Sequence, residues 1–89
     1  MKIKLKDKVY KIIEFKNDDY KINSNNVIDF GENRIYIVWS DLCSLDIAKL
    51  SFNNYMVDCI ENNNEKGDLY NVVLIDSDNN ILLLGRYRY

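Results

Sequence analysis

Cys43 and Cys59 are the only thiols in a chain of 89 residues that contains no histidine. A cysteine nucleophile needs a base beside it, and a structural zinc site needs four nitrogen or sulfur ligands. Neither set exists here, so no metal and no cofactor is expected. Both cysteines fall on apolar periodicities, where a buried, reduced, unreactive thiol is the reading. The segment "DSDNN" (76–80) imitates the first three ligand positions of a calcium loop with Asp76, Asp78 and Asn80. The imitation fails at Ile81, where the loop needs glycine, and at Tyr87, where it needs a bidentate glutamate. A hairpin turn is therefore expected, and "GEN" (31–33) is read as another turn. Asp18 and Asp19 are adjacent, but neighbours on an extended chain point apart and do not pair as acid and base. No catalytic residue is assigned, and the chain is read as a non-enzyme.

Charge is unevenly placed. Residues 1–16 carry six lysines against Asp7 and Glu14, for a net +4, whereas residues 17–85 carry a net −8, and Arg86 and Arg88 restore +2 to reach the overall −2. Lys2, Lys4, Lys6 and Lys8 alternate with Ile3 and Leu5. At the other terminus "GRYRY" alternates Arg86 and Arg88 with Tyr87 and Tyr89. If the terminal strands are neighbours, these residues make a basic surface edged by rings, the kit of a single-stranded nucleic-acid binder. An acidic chain lacks the basic balance of such modules. "GRYRY" is therefore read as a strand end, with Tyr87 continuing the face of Ile81 and Leu83 and Gly85 allowing a bulge or a close approach. The acidic middle offers Asp41, Asp46, Asp58, Glu61, Glu65 and Asp68 as a negative surface for a basic protein partner, with Arg86, Tyr87, Arg88 and Tyr89 as border contacts. The plain alternative is a solvated polar face.

The elements that position these residues are mostly strands. "KIKL", "VYKIIEF", "YKIN", "VIDF" and "RIYIVW" alternate or run apolar between Asn-, Ser- and Gly-containing turns. One short helix is expected near 41–52, capped by Ser40, with Leu42, Leu45, Ala48 and Phe52 at helical spacing. After Asn53 and Asn54, Met56, Cys59 and Ile60 could extend the same helical face, but the alternation of Tyr55, Val57 and Cys59 favours a strand, with the two asparagines as its turn. "NNNEKG" (62–67) is a loop, and a hairpin closes the chain around "DSDNN". The fold class is α+β: a small curved antiparallel sheet of five to seven short strands with one helix, in a single domain over 1–89.

"IYIVW", "VVLI" and "ILLL" are continuous apolar runs, which predicts strands buried on both faces. One helix covers a single face. Either the sheet curls on itself, the favoured explanation, or a second copy or another protein covers the remainder. Trp39 is assigned to the core. No apolar run approaches the roughly 20 residues that span a bilayer, so no membrane association and a cytoplasmic location are expected. Asn, Lys, Ile and Tyr supply 40 of the residues, while Pro, His, Thr and Gln are absent. That bias fits AT-rich coding, as in an AT-rich bacterium or its phage. Elimination leaves a non-catalytic domain that binds and inhibits a larger protein, of the immunity-protein, antitoxin or phage-encoded anti-defence (anti-CRISPR) type, with a basic nucleic-acid enzyme as one class of target. A self-associating phage assembly protein and a single-stranded nucleic-acid binder are the alternatives.

Overall fold

A computed structural model describes residues 7–16 and 19–89. Among these residues six strands and one helix follow in the order β1 (Lys8–Lys16), β2 (Lys21–Ile22), β3 (Ile28–Asp29), β4 (Ile35–Cys43), α1 (Leu45–Glu61), β5 (Leu69–Ile75) and β6 (Ile81–Arg88). Strands β4-β1-β5-β6 form one antiparallel sheet, and β2-β3 form a second, two-stranded one. The α+β class and the antiparallel pairing follow the sequence reading. The sheet remains open, however, instead of curling closed. The expected strand at "KIKL" lies outside the described residues.

Alternation divides the sheet into two faces. Tyr10, Ile12, Val72 and Leu74 join Ala48, Phe52 and Cys43 in a core under α1, with Trp39, Tyr55, Met56, Leu83 and Tyr87 packed around it. Ile13, Phe15, Val73 and Ile75 point the other way and pack against Ile28 of β3, with Tyr20, Phe30 and Ile81 alongside. The small β2-β3 sheet thus covers part of the face that the helix cannot reach. Phe15 sits there fully buried, with the rings of Tyr20 and Phe30 each edge-on at 5.2 Å. Burial on both sides explains the unbroken "VVLI" of β5, as expected.

The same inference fails for β4. Its apolar run belongs to an edge strand, with Ile37 55% and Leu42 63% exposed. Trp39 is half-buried against the core and is not its centre. "ILLL" in β6 is only half-buried, since β6 is the opposite edge. A bulge at Leu82 pairs Ile81 with Ile75 but Leu83 with Leu74. Ile81 consequently lies on the β3 side and Leu83 and Tyr87 on the helix side, which corrects the single face read for all three.

The helix differs most from expectation. Ser40, Asp41, Leu42 and Cys43 stay in β4, opposite Lys11, Tyr10, Val9 and Lys8. The cap is Ser44, still extended, whose Oγ accepts from Ile47 N–H at 3.3 Å, and Asp46 is the carboxylate in the first turn. The helix then runs through Asn53 and Asn54 to Glu61, where a strand was expected. Asparagine inside a helix costs well under about 1 kcal/mol. Burying Phe52 and Cys59 against the sheet outweighs that. Tyr55, Val57 and Cys59 alternate only by coincidence, for Val57 faces solvent.

The turns are as read. Asp76 Oδ1 accepts from Asp78 N–H at 2.9 Å and Asn80 N–H at 3.0 Å, and Asn79 takes a positive φ. Gly31 at φ +62 allows the "GEN" turn. Gly85 serves a close approach, because a Cβ there would sit 2.7 Å from the Met56 side chain.

Candidate protein-binding surface

The outward side of α1 mixes exposed apolar residues with the polar Asn53 and Asn54, where a solvent-facing helix is normally polar throughout. Ile47, Leu50, Val57 and Ile60 are each more than half exposed. At 100° per residue, Leu50 and Val57 fall on the crest directly opposite the buried Ala48, Phe52 and Cys59. Asp46, Asp58 and Glu61 border them, and Glu65 lies in the loop that follows. Asp58 and Glu61 sit in the last helical turn, which has no basic residue. Carboxylates there oppose the helix dipole, each at a cost of about 0.3–1 kcal/mol. Among the described residues neither has an ion-pair partner. Asp41 is placed apart from them on β4, with Oδ1 accepting from Leu42 N–H at 2.8 Å. Asp68 is held by Lys16 at 2.8 Å, in an exposed ion pair worth little to stability.

Beside this surface, α1 is pinned to the sheet through one carboxylate. Tyr55 of α1 and Tyr87 of β6 both donate their hydroxyls to Glu14 Oε1 of β1, Tyr87 at 2.9 Å. Tyr87 also stacks on Tyr70 at 5.6 Å. Burial, and then the Glu14 carboxylate, push both phenols well above their ordinary value. Burial likewise raises the Cys59 thiol next to them, and burial with Asp41 and Asp7 raises Cys43. An activated thiol would be lowered instead. Tyr55, Asp58, Cys59, Asn62, Tyr87 and Tyr89 line an open hollow of about 320 Å³ at the C-terminal end of the helix.

No family model, curated protein or solved structure matches the chain. Its function is therefore argued from this geometry.

The border residues divide. Arg86 Nε donates to the buried Asn71 Oδ1 at 2.9 Å, and its Nη2 donates to the Tyr20 hydroxyl at 3.3 Å, which engages Arg86 within the fold. Tyr87 is committed to Glu14. Arg88 Nη1 donates to Gly67 O at 3.2 Å. Tyr89 exchanges backbone hydrogen bonds with Asp68, and its ring is exposed beside the helix end. Of the four, only Tyr89 borders the acidic helix end freely.

Lys2, Lys4 and Lys6 lie outside the described residues. Lys8 pairs with Cys43 at one end of the sheet and Arg88 with Leu69 at the other, with β5 between their strands. Eight residues of strand separate those ends, about 26 Å at 3.3 Å per residue. Lys8 and Arg88 are thus apart, and the rest of the expected basic strand, Lys2, Lys4 and Lys6, lies outside the described residues.

Sequence reasoning missed Glu14 and Tyr55, and missed Leu50 and Val57 as exposed positions. Continuing the 48–52 helical phase would have revealed the three helix positions, since Tyr55 and Cys59 extend its buried side, whereas nothing local marks Glu14 on β1.

Proposed function

We propose that this chain is a non-catalytic protein-binding domain that inhibits a larger partner by covering one of its surfaces. The reading extends to an immunity-protein, antitoxin or phage-encoded anti-defence role in the cytoplasm, with a nucleic-acid enzyme as the class of partner. One observation carries it: the crest of α1 presents Leu50 and Val57 to solvent, flanked by two carboxylates that the helix itself disfavours. Local costs of this kind persist where another function compensates them. The apolar crest fits a hydrophobic groove, and Asp58 and Glu61 fit lysines or arginines around it. Raised thiols at Cys43 and Cys59 favour binding over nucleophilic catalysis.

The test compares wild type with Leu50→Asp/Val57→Asp and with Asp58→Lys/Glu61→Lys as baits for lysate of the source organism, with and without nuclease. Support is one protein retained stoichiometrically by wild type after nuclease and lost by both variants. Glu61→Lys must at the same time raise the melting temperature, because it removes a carboxylate from the negative end of the dipole. Equal retention by all three baits, or recovery that vanishes with nuclease, refutes the reading.

A further inference from the structure

We propose that β4 is a self-pairing edge, through which two copies of this chain join antiparallel about a two-fold axis into one continuous eight-stranded sheet. β4 pairs with β1 alone, so one side of its backbone ladder is open among the described residues. Natural edge strands are usually short, charged or covered. This one spans nine residues, Ile35–Cys43, with Ile35, Tyr36, Ile37, Val38 and Leu42 all exposed. The inference is independent of the helix surface.

The occupant is identified by the strand's own complementarity. In strict alternation Tyr36 and Trp39 would lie on opposite faces. The bulge at Val38 puts both on the helix side, Tyr36 across from Glu14 and Trp39 across from Ile12. Ile35 and Ser40, across from Phe15 and Lys11, likewise share the other side. A two-fold between Ile37 and Val38 therefore sets residues on matching faces opposite each other: Tyr36 against the second copy's Trp39, and Ile35 against its Ser40. The same register sets Arg34 opposite Asp41, which faces the helix side across from Tyr10. Neither Arg34 nor Asp41 has an ion-pair partner among the described residues. Each dimer thus contains two Tyr-Trp cross-strand pairs and two Arg-Asp pairs, all isologous. Both copies of α1 fall on one side of the joined sheet, their crests still exposed.

Such an interface is small, so association is concentration-dependent. Sedimentation equilibrium from micromolar to near-millimolar protein is expected to show a rise from 10.6 kDa toward twice that mass. Arg34→Asp and Asp41→Arg each place like charges across both contacts and are expected to weaken the dimer about tenfold or more. Mixing the two variants restores opposite charges at both contacts, and the mixture is expected to dimerise where neither component does. Arg34→Asp combined with Asp41→Arg in one chain must also self-associate. Circular dichroism of each variant checks the fold, and the combined chain keeps the test decisive if a single variant fails to fold. A monomer throughout the range overturns the proposal, as does a dimer indifferent to the reversals or a mixture that does not recover. A monomer that captures a partner's strand at β4 overturns it too.

Discussion

The Glu14 hub makes the sharpest demand on stability, and it is an alkaline one. Tyr55 and Tyr87 have an ordinary pKa of 10.0 and are held well above it in the fold, so each binds its proton more tightly folded than unfolded. Their contribution is complete below the unfolded value and is lost as pH rises above it toward the folded value. Each unfolded phenol that ionises while its folded counterpart stays neutral lowers stability by up to about 1.4 kcal/mol per pH unit. Integrated from about pH 9 to about pH 11.5, this reaches about 2 kcal/mol per tyrosine as an upper bound, halved to about 1 kcal/mol by partial solvation. Removing a hydroxyl also forfeits a hydrogen bond to a carboxylate, so Tyr55→Phe or Tyr87→Phe starts about 1–2 kcal/mol less stable near neutral pH. The variant's curve of unfolding free energy against pH, from urea melts followed by tryptophan fluorescence, should then fall less steeply and close on wild type above pH 10. Lys16, which is raised by Asp68, also weakens the fold in alkali, but it is common to both proteins and cancels in the difference. Parallel curves for wild type and both variants would refute the hub's role in holding these protons.

Phe15→Ala removes a fully buried ring between Tyr20 and Phe30 and should cost about 3–5 kcal/mol in urea melts, where a loss under about 1.5 would mean that the β2-β3 cover collapses into the gap. Ser44→Ala should cost about 1 kcal/mol and Ser40→Ala almost nothing, an order that reverses if the helix starts at residue 41. Gly67→Ala would bring a Cβ to 2.3 Å from the Tyr89 carbonyl carbon, so the Tyr89 amide should lose protection from hydrogen exchange, and unchanged protection would contradict that packing. Asp58→Asn is expected to stabilise the helix by about 0.3–1 kcal/mol in thermal melts, and a destabilisation would show that Asp58 has a partner within the fold.

Strand positions were legible wherever turn chemistry marked them. "DSDNN" and "GEN" announce their turns through residues whose side chains bond their own backbone or accept positive φ, a local property that needs no knowledge of the rest of the chain. The helix boundaries were harder because they depend on partners. Ser40 and Ser44 are equally good caps in isolation, and β1 decides between them by pairing as far as Leu42 and Cys43. Asn53 and Asn54 look like a turn until the sheet supplies apolar surface for Phe52 and Cys59 to bury against. In each case long-range packing overrode a weak local preference.

The error over β4 has a different origin and leads back to function. "IYIVW" and "VVLI" carry the same signal, an apolar run without alternation, yet the β5 run is central and wholly buried while β4 is an edge and largely open. Composition reports that a strand expects cover on two sides; it does not say whether the cover belongs to the same chain. For β5, the chain provides α1 on one face and β3 with Phe30 on the other. For β4, the described residues provide β1 along one side only. The crest of α1 partly repeats the pattern, with Leu50 and Val57 exposed beside the polar Asn53 and Asn54. Both departures from self-sufficiency sit on surfaces bordered by charges without an ion-pair partner among the described residues, Arg34 and Asp41 at β4, Asp58 and Glu61 at α1. If these surfaces bind as proposed, those charges would give each a specificity that apolar area alone lacks, which is why opposite-charge reversals, rather than truncations, are the informative perturbations for this protein.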